Sequence, residues 1–240
     1  AMPDRQRERA DRILDIAADL LLRWGYRRIR IDEVAKRAVV GKGTVYLHWR
    51  SREQMLAAVA ARETARMIDA VVEGLRSDAG EVVPHRLMRR IFLEAMSRPV
   101  LRAIYTRDVD TVDALAGESS QVSAQSANFV AWQEYLRIAH DQGLLRDGLR
   151  PADAHYPLTA MTFGFFAVEP LLPAEVDLSL EAKADQLAES VRRVFEPARP
   201  PGRDHLDAAA AAAVALYERA AGEYRAVTYG TREGHHDEQN

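Results

Sequence analysis

The stretch AVVGKGTVYLHW, residues 38–49, admits three readings, and the choice among them decides the fold. Gly41-Lys42-Gly43-Thr44 resembles part of a phosphate-cradling loop. Tyr46, His48 and Trp49 add ring groups suited to nucleic acid, and the glycines alone would serve a turn between two helices. A Walker-type nucleotide loop needs a leading Gly, a Ser or Thr directly after the Lys, and a buried strand before it. Here position 36 is Lys36, Gly43 follows Lys42, and the preceding segment is helical in pattern. The nucleotide loop is set aside.

On both sides of the stretch the apolar residues repeat with the period of a helix. Ile31, Val34, Ala35 and Ala38 recur at i, i+3, i+4 and i+7, which predicts a short helix over 31–38. Val45 and Trp49, four apart, give the inner face of a second short helix over 42–49, leaving 39–41 as a tight turn. Helix, turn and helix of this size match a helix-turn-helix. Upstream, Ile13, Ala17, Leu20, Leu21 and Trp24 line one face of a longer helix, and Gly25 follows where a helix end calls for a left-handed residue. Downstream, Ser51-Arg52-Glu53-Gln54 is a capping box opening a long helix to about Leu75.

The remainder continues in kind. Helices are expected at about 82–97, 99–115, 120–142, 152–169 and 178–196, then an Ala-rich helix from Ala208 to Tyr224 after the stiff PARPPGR break at 197–203. No strand alternation is found, so the class is all-α: a three-helix helix-turn-helix domain over 1–52, a larger helical domain over 53–200, an additional helix over 201–226 and a loose tail over 227–240. Hydrophobic content of 48% supports a substantial core, and the absence of cysteine excludes disulfides and thiol chemistry. No apolar leader opens the chain, and Pro157, Glu169 and Pro170 interrupt the most apolar stretch, so a soluble cytoplasmic protein is expected. The net charge of −3 conceals a segregation: residues 1–52 carry thirteen Lys/Arg against seven Asp/Glu, the rest twenty against twenty-nine. A basic front on an acidic body fits a polyanion-binding surface.

Little else carries chemistry. His85, His140 and His155 have no metal-ligand spacing, His235-His236 lies in the tail, and Asp108, Asp110 and Asp113 read as a solvated acidic face. No metal, cofactor or catalytic residue is expected. The DNA reading explains more. With Val45 and Trp49 turned inward, Lys42, Thr44, Tyr46 and His48 are expected to point outward, and Gly43 to let the backbone approach a phosphate closely. Arg30 and Arg52 flank the reader at helix starts, and Arg5, Arg7 and Arg9 form a candidate arm ahead of the first helix.

The segment GYRRIRIDEVAKRAVVGKGTVYLHWRSREQML, residues 25–56, resembles the signature of TetR-type transcriptional regulators. The matching positions are Gly25, Tyr26, Ile31, Val34, Ala35, Ala38, Val40, Gly43, Thr44, Val45, Tyr46, His48, Trp49, Ser51, Glu53 and Leu56, with Arg52 for the usual Lys. It departs at Ile29-Arg30, where the family has hydroxyl residues, at Val39, where it has the turn Gly, and at Gly41, where it has a capping Ser. If Val39 keeps the positive φ of that Gly, a β-branched residue is strained there.

The resemblance implies a DNA-binding domain over 1–52, a ligand-binding and dimerisation domain over 53–200, and a homodimeric repressor that places residues 42–48 in the major groove of each half of a palindromic operator. It implies release by a small effector, largely apolar given the aromatic candidates Phe92, Met96, Tyr105, Phe129, Trp132, Tyr135 and Phe163. The implied dimer helices are 152–169, with Leu158, Met161, Phe165 and Val168, and 178–196, with Leu180, Leu187, Val191 and Val194. The Ala-rich last helix is extra to the family's plan. The alternative is a helical ligand-binding or enzymatic protein whose DNA-reading head has decayed.

Overall fold

The computed structural model describes residues 3–106, 119–168, 171–173, 176 and 178–229, excluding the side chains of 119–129. The acidic run at Asp108, Asp110 and Asp113, the end of the helix expected over 99–115 and the tail with His235-His236 lie outside the described residues. Those described form ten α-helices, two 3₁₀ turns and no strand, as the pattern predicts.

Helix α1 (Asp4–Trp24) buries Ile13, Leu14, Ala17, Leu20 and Leu21, while Trp24 is half-buried beneath the Arg37 guanidinium, 4.7 Å from its ring centroid. Because α1 begins at Asp4, the three arginines expected in a free arm lie on its first turns instead. Gly25 ends α1 with φ 73 and ψ 166, an extended backbone open only to glycine rather than the left-handed helical cap expected. A 3₁₀ turn (Tyr26–Arg28) leads to α2 (Ile31–Arg37) and α3 (Lys42–His48). Their inward residues Ile31, Val34, Ala35, Val45 and Trp49 join those of α1 in one core.

That core continues into α4 (Arg52–Ser77) as far as Ala60, so the long helix belongs to the head at one end and the body at the other. Its capping box forms: Gln54 N–H donates to Ser51 Oγ at 2.9 Å, while the Gln54 side chain accepts from Arg50 N–H at 2.6 Å, one residue ahead of the usual partner.

The body comprises α5 (Pro84–Met96), α6 (Pro99–Tyr105), α7 (Ser119–Asp141), α8 (Pro151–Ala167), α9 (Leu180–Phe195) and α10 (Arg203–Tyr229). Three of these start on proline, whose missing N–H costs nothing in a first helical turn. The stripes assigned to a dimer interface divide on inspection. Leu158, Leu187 and Val191 are buried in the body core, Met161, Phe165 and Leu180 are half-buried against it, and Val168 and Val194 are exposed. Helical periodicity marks an apolar face without saying what covers it. Among the described residues, no helix is long and apolar enough to cross a membrane.

Candidate nucleic-acid interface

Helix α2 hands the chain to α3 through a turn whose hydrogen bonds define its shape. Val39 N–H donates to Lys36 O at 3.3 Å and Val40 N–H to Ala35 O at 3.0 Å. These are the paired bonds of a Schellman helix end, which needs a left-handed residue at Val39's position. Val39 adopts φ 55, and among the described residues it is the one non-glycine with positive φ. The anticipated strain is present, on a side chain that is 90% exposed and gains nothing from packing.

Gly41 precedes α3 with extended backbone and no side-chain cap. Beyond it Lys42 and Tyr46 are exposed as expected, but the exposed face is centred elsewhere than expected. Every second residue, from Lys42 to His48, is a strand's spacing; at ~100° per residue, Gly43 and Leu47 lie opposite Val45. Accordingly Leu47 is 80% exposed, Tyr46 is 45% exposed, and Thr44 and His48 are only half-buried at the flanks. Leu47 was missed, although the Val45–Trp49 anchor pair implied its position. An added Cβ at Gly43 would meet nothing within 4 Å, so the space before this helix is open.

The cations differ in how free they are. Lys42 pairs with Asp32 at 2.7 Å, which holds its ammonium above the ordinary range. Both side chains are largely exposed, so this ion pair is weak and readily exchanged for a phosphate. Arg30 is exposed just ahead of α2. Arg52 is turned inward: Nη1 donates to the carbonyls of Tyr26 at 3.2 Å and Ile29 at 3.4 Å, Nη2 pairs with Glu53, and the guanidinium lies over the Tyr26 ring. It ties the 3₁₀ turn to α4, a role for which bare sequence gave no sign. Burial, then the charge of Arg9, holds the His48 imidazole below its ordinary range, so it is neutral at neutral pH.

The candidate effector residues also separate. Phe92 and Met96 are buried, and a residue absent from the expected set, Phe166, joins them: its ring lies 5.0 Å from that of Phe92 and stacks 4.6 Å from Tyr105. Trp132 and Tyr135 form an edge-on pair, and the Tyr135 hydroxyl donates to Val82 O at 2.9 Å. Burial pushes the phenols of Tyr105 and Tyr135 up, so both stay neutral donors. The Phe129 side chain lies outside the described residues. Phe163 is on the other side of α8, 49% exposed, in an open groove of about 520 Å³ with Ala160, Gly164, Ala167 and Leu171.

Residues 13–59 match the model of bacterial regulatory proteins of the tetR family. The HTH-type transcriptional repressor KstR of Mycobacterium tuberculosis is 34% identical over 122 residues, covering 49% of this chain and 54% of that protein. The chain thus spans about half the length of this curated relative. Among solved structures, a Rhodococcus sp. protein assigned to the TetR family superposes with a TM-score of 0.57 at 22% identity, over 79% of this chain and 100% of the other. The SmeT–triclosan complex superposes with a TM-score of 0.58 at 22% identity, over 81% and 96%. These two likenesses concern the fold. By sequence the head, residues 13–59, is similar to the tetR family of bacterial regulatory proteins, and the two solved structures share the all-helical fold of the chain.

Proposed function

We propose that this protein is a homodimeric transcriptional repressor that reads a palindromic operator with α3 and is released from it by a small, largely apolar effector. The observation that carries the reading is the face of α3. Val45 and Trp49 anchor one side in the head core, while Lys42, Gly43, Tyr46 and Leu47 line an exposed side within the segment that matches the family. A helix presented this way fits the major groove, with Lys42 and Tyr46 on backbone phosphates and Leu47 against a base edge, where an apolar side chain meets a thymine methyl. KstR is named a repressor, which supports the sign of regulation.

Two features of the body support the remaining parts. The exposed apolar surface of α8 around Phe163 and Leu171 fits a second copy across a two-fold axis. The Phe92–Phe166–Tyr105 cluster fits an apolar effector, and SmeT has been solved with triclosan. A decayed head is disfavoured by the intact head core, the formed capping box and the retained face of α3.

The experiment is selection of duplexes from random-sequence DNA, followed by gel shift with wild-type protein and a Lys42→Ala/Tyr46→Ala variant. Wild type should retain a two-fold symmetric sequence, and the variant should lose most of that binding and about two units of salt slope. Absence of any enriched sequence, or equal binding by the variant, would refute the reading. A thermal-shift screen should then find a ligand that stabilises the protein and releases the DNA.

A further inference from the structure

Helix α10 packs along α4 and buries the small residues Ala209, Ala210, Ala213, Ala220 and Ala221, and ion pairs from Arg76 to Glu218 and from Arg225 to Asp69 join the two helices. Its last turn leaves the body and enters the head. There the indole N–H of Trp49, the residue that ends α3, donates to the carbonyl of Thr228 at 3.0 Å, across 179 positions of sequence. The bond has a simple origin. The last four carbonyls of a helix lack intrahelical partners, and Thr228 lies in that turn. Both groups are buried, Trp49 at 1% exposure and Thr228 at 0%.

The next residue makes a second attachment, to a different helix. The Tyr229 hydroxyl donates to Asp11 of α1 at 2.8 Å, its ring packs against the head core, and the Arg7 guanidinium lies 4.9 Å from the ring centroid. Arg62 of α4, 5% exposed, holds the same stretch of α1 through the Asp11 carbonyl at 3.1 Å and the Asp15 carboxylate at 2.7 Å. One turn before its end, α10 places Tyr224 against the body core. A single helix thereby touches the body core and the C-terminal end of α3.

The head needs such a brace. At seven residues, α3 is too short to be stable by itself, it has no side-chain N-cap, and its entry turn is strained at Val39. Its direction therefore depends on what holds Val45 and Trp49, and α10 supplies a buried partner for the second.

We propose that Thr228 and Tyr229 are positioning residues for DNA reading, through which α10 sets the angle of α3 against the body. This rests on the DNA-reading function proposed above. Without the brace the head samples several orientations, and apparent affinity falls with the fraction that is competent.

The test uses three full-length proteins, wild type, Tyr229→Ala and Tyr229→Phe, against a duplex enriched by the wild type from random-sequence DNA. Hydrogen exchange of the free proteins runs in parallel. Tyr229→Ala should bind about tenfold more weakly at an unchanged salt slope, since the phosphate contacts themselves remain. Amides of residues 42–49 should exchange faster while those of α5 and α9 do not change. Tyr229→Phe, which keeps the ring over Arg7 but loses the bond to Asp11, should fall between. Binding by Tyr229→Ala within about twofold of wild type, or tighter, would overturn the proposal, as would a rise in exchange spread evenly over the body. If the wild type enriches no duplex, the DNA-reading function fails and the positioning role with it. Enrichment with indifferent variants sinks the positioning role alone.

Discussion

Replacing Val39 with glycine should raise the stability of this protein. Val39 sits at φ 55 in a turn fixed by two backbone hydrogen bonds, and a left-handed conformation costs an L-residue roughly 1–2 kcal/mol. Because the side chain is 90% exposed, removing it forfeits almost no burial. Against the gain stands the extra freedom of glycine in the unfolded chain, about 0.5–1 kcal/mol. The net expectation is about 0.5–1 kcal/mol of stabilisation. The assay is urea unfolding at fixed protein concentration, where the midpoint should rise with an unchanged slope. Val39→Ala retains the Cβ that creates the conflict and should recover less than half the effect. A lower midpoint for Val39→Gly, or an equal gain for alanine, would show that the turn is not left-handed in solution and refute the reasoning.

Other consequences concern the head and the body separately. Leu47→Ala should relax base preference at one operator position while leaving the salt slope unchanged, because it touches no phosphate; repeating the DNA selection with the variant reads this directly. Tyr135→Phe leaves the buried Val82 carbonyl without its donor and should cost about 1–3 kcal/mol in urea unfolding; an unchanged midpoint would contradict the buried bond. His48 gives a pH effect of definite sign. Its folded-state affinity for a proton is lowered, so the unfolded chain binds the proton more tightly. The contribution is complete above the ordinary value of 6.5 and is lost as pH falls from there through the lowered folded value. Midpoints recorded from pH 8 to 5 should decline less steeply in His48→Gln.

Much of this architecture was legible in local pattern. The period of Ile31, Val34 and Ala35 located α2, Ser51 and Gln54 marked the start of α4, and the departure at Val39 pointed to a strained turn. These signals work because caps and helical faces are set by residues within about four positions of one another. Where reading failed, the local rule was misapplied or insufficient. Counting alternate residues on α3 overlooked Leu47. The Ala-rich run fixed the existence of α10 but not its ends, which extend from Arg203 to Tyr229.

The amino-acid order by itself therefore determined the helical class, the helix-turn-helix head and the location of its odd turn. The tertiary structure decided which apolar stripes are core, that Phe166 stands between Phe92 and Tyr105, and that Arg52 serves the 3₁₀ turn. It alone joined Trp49 to Thr228. Contacts over such separations follow from how helices pack against one another, and the packing surface of a helix carries no mark of its partner's place in the chain.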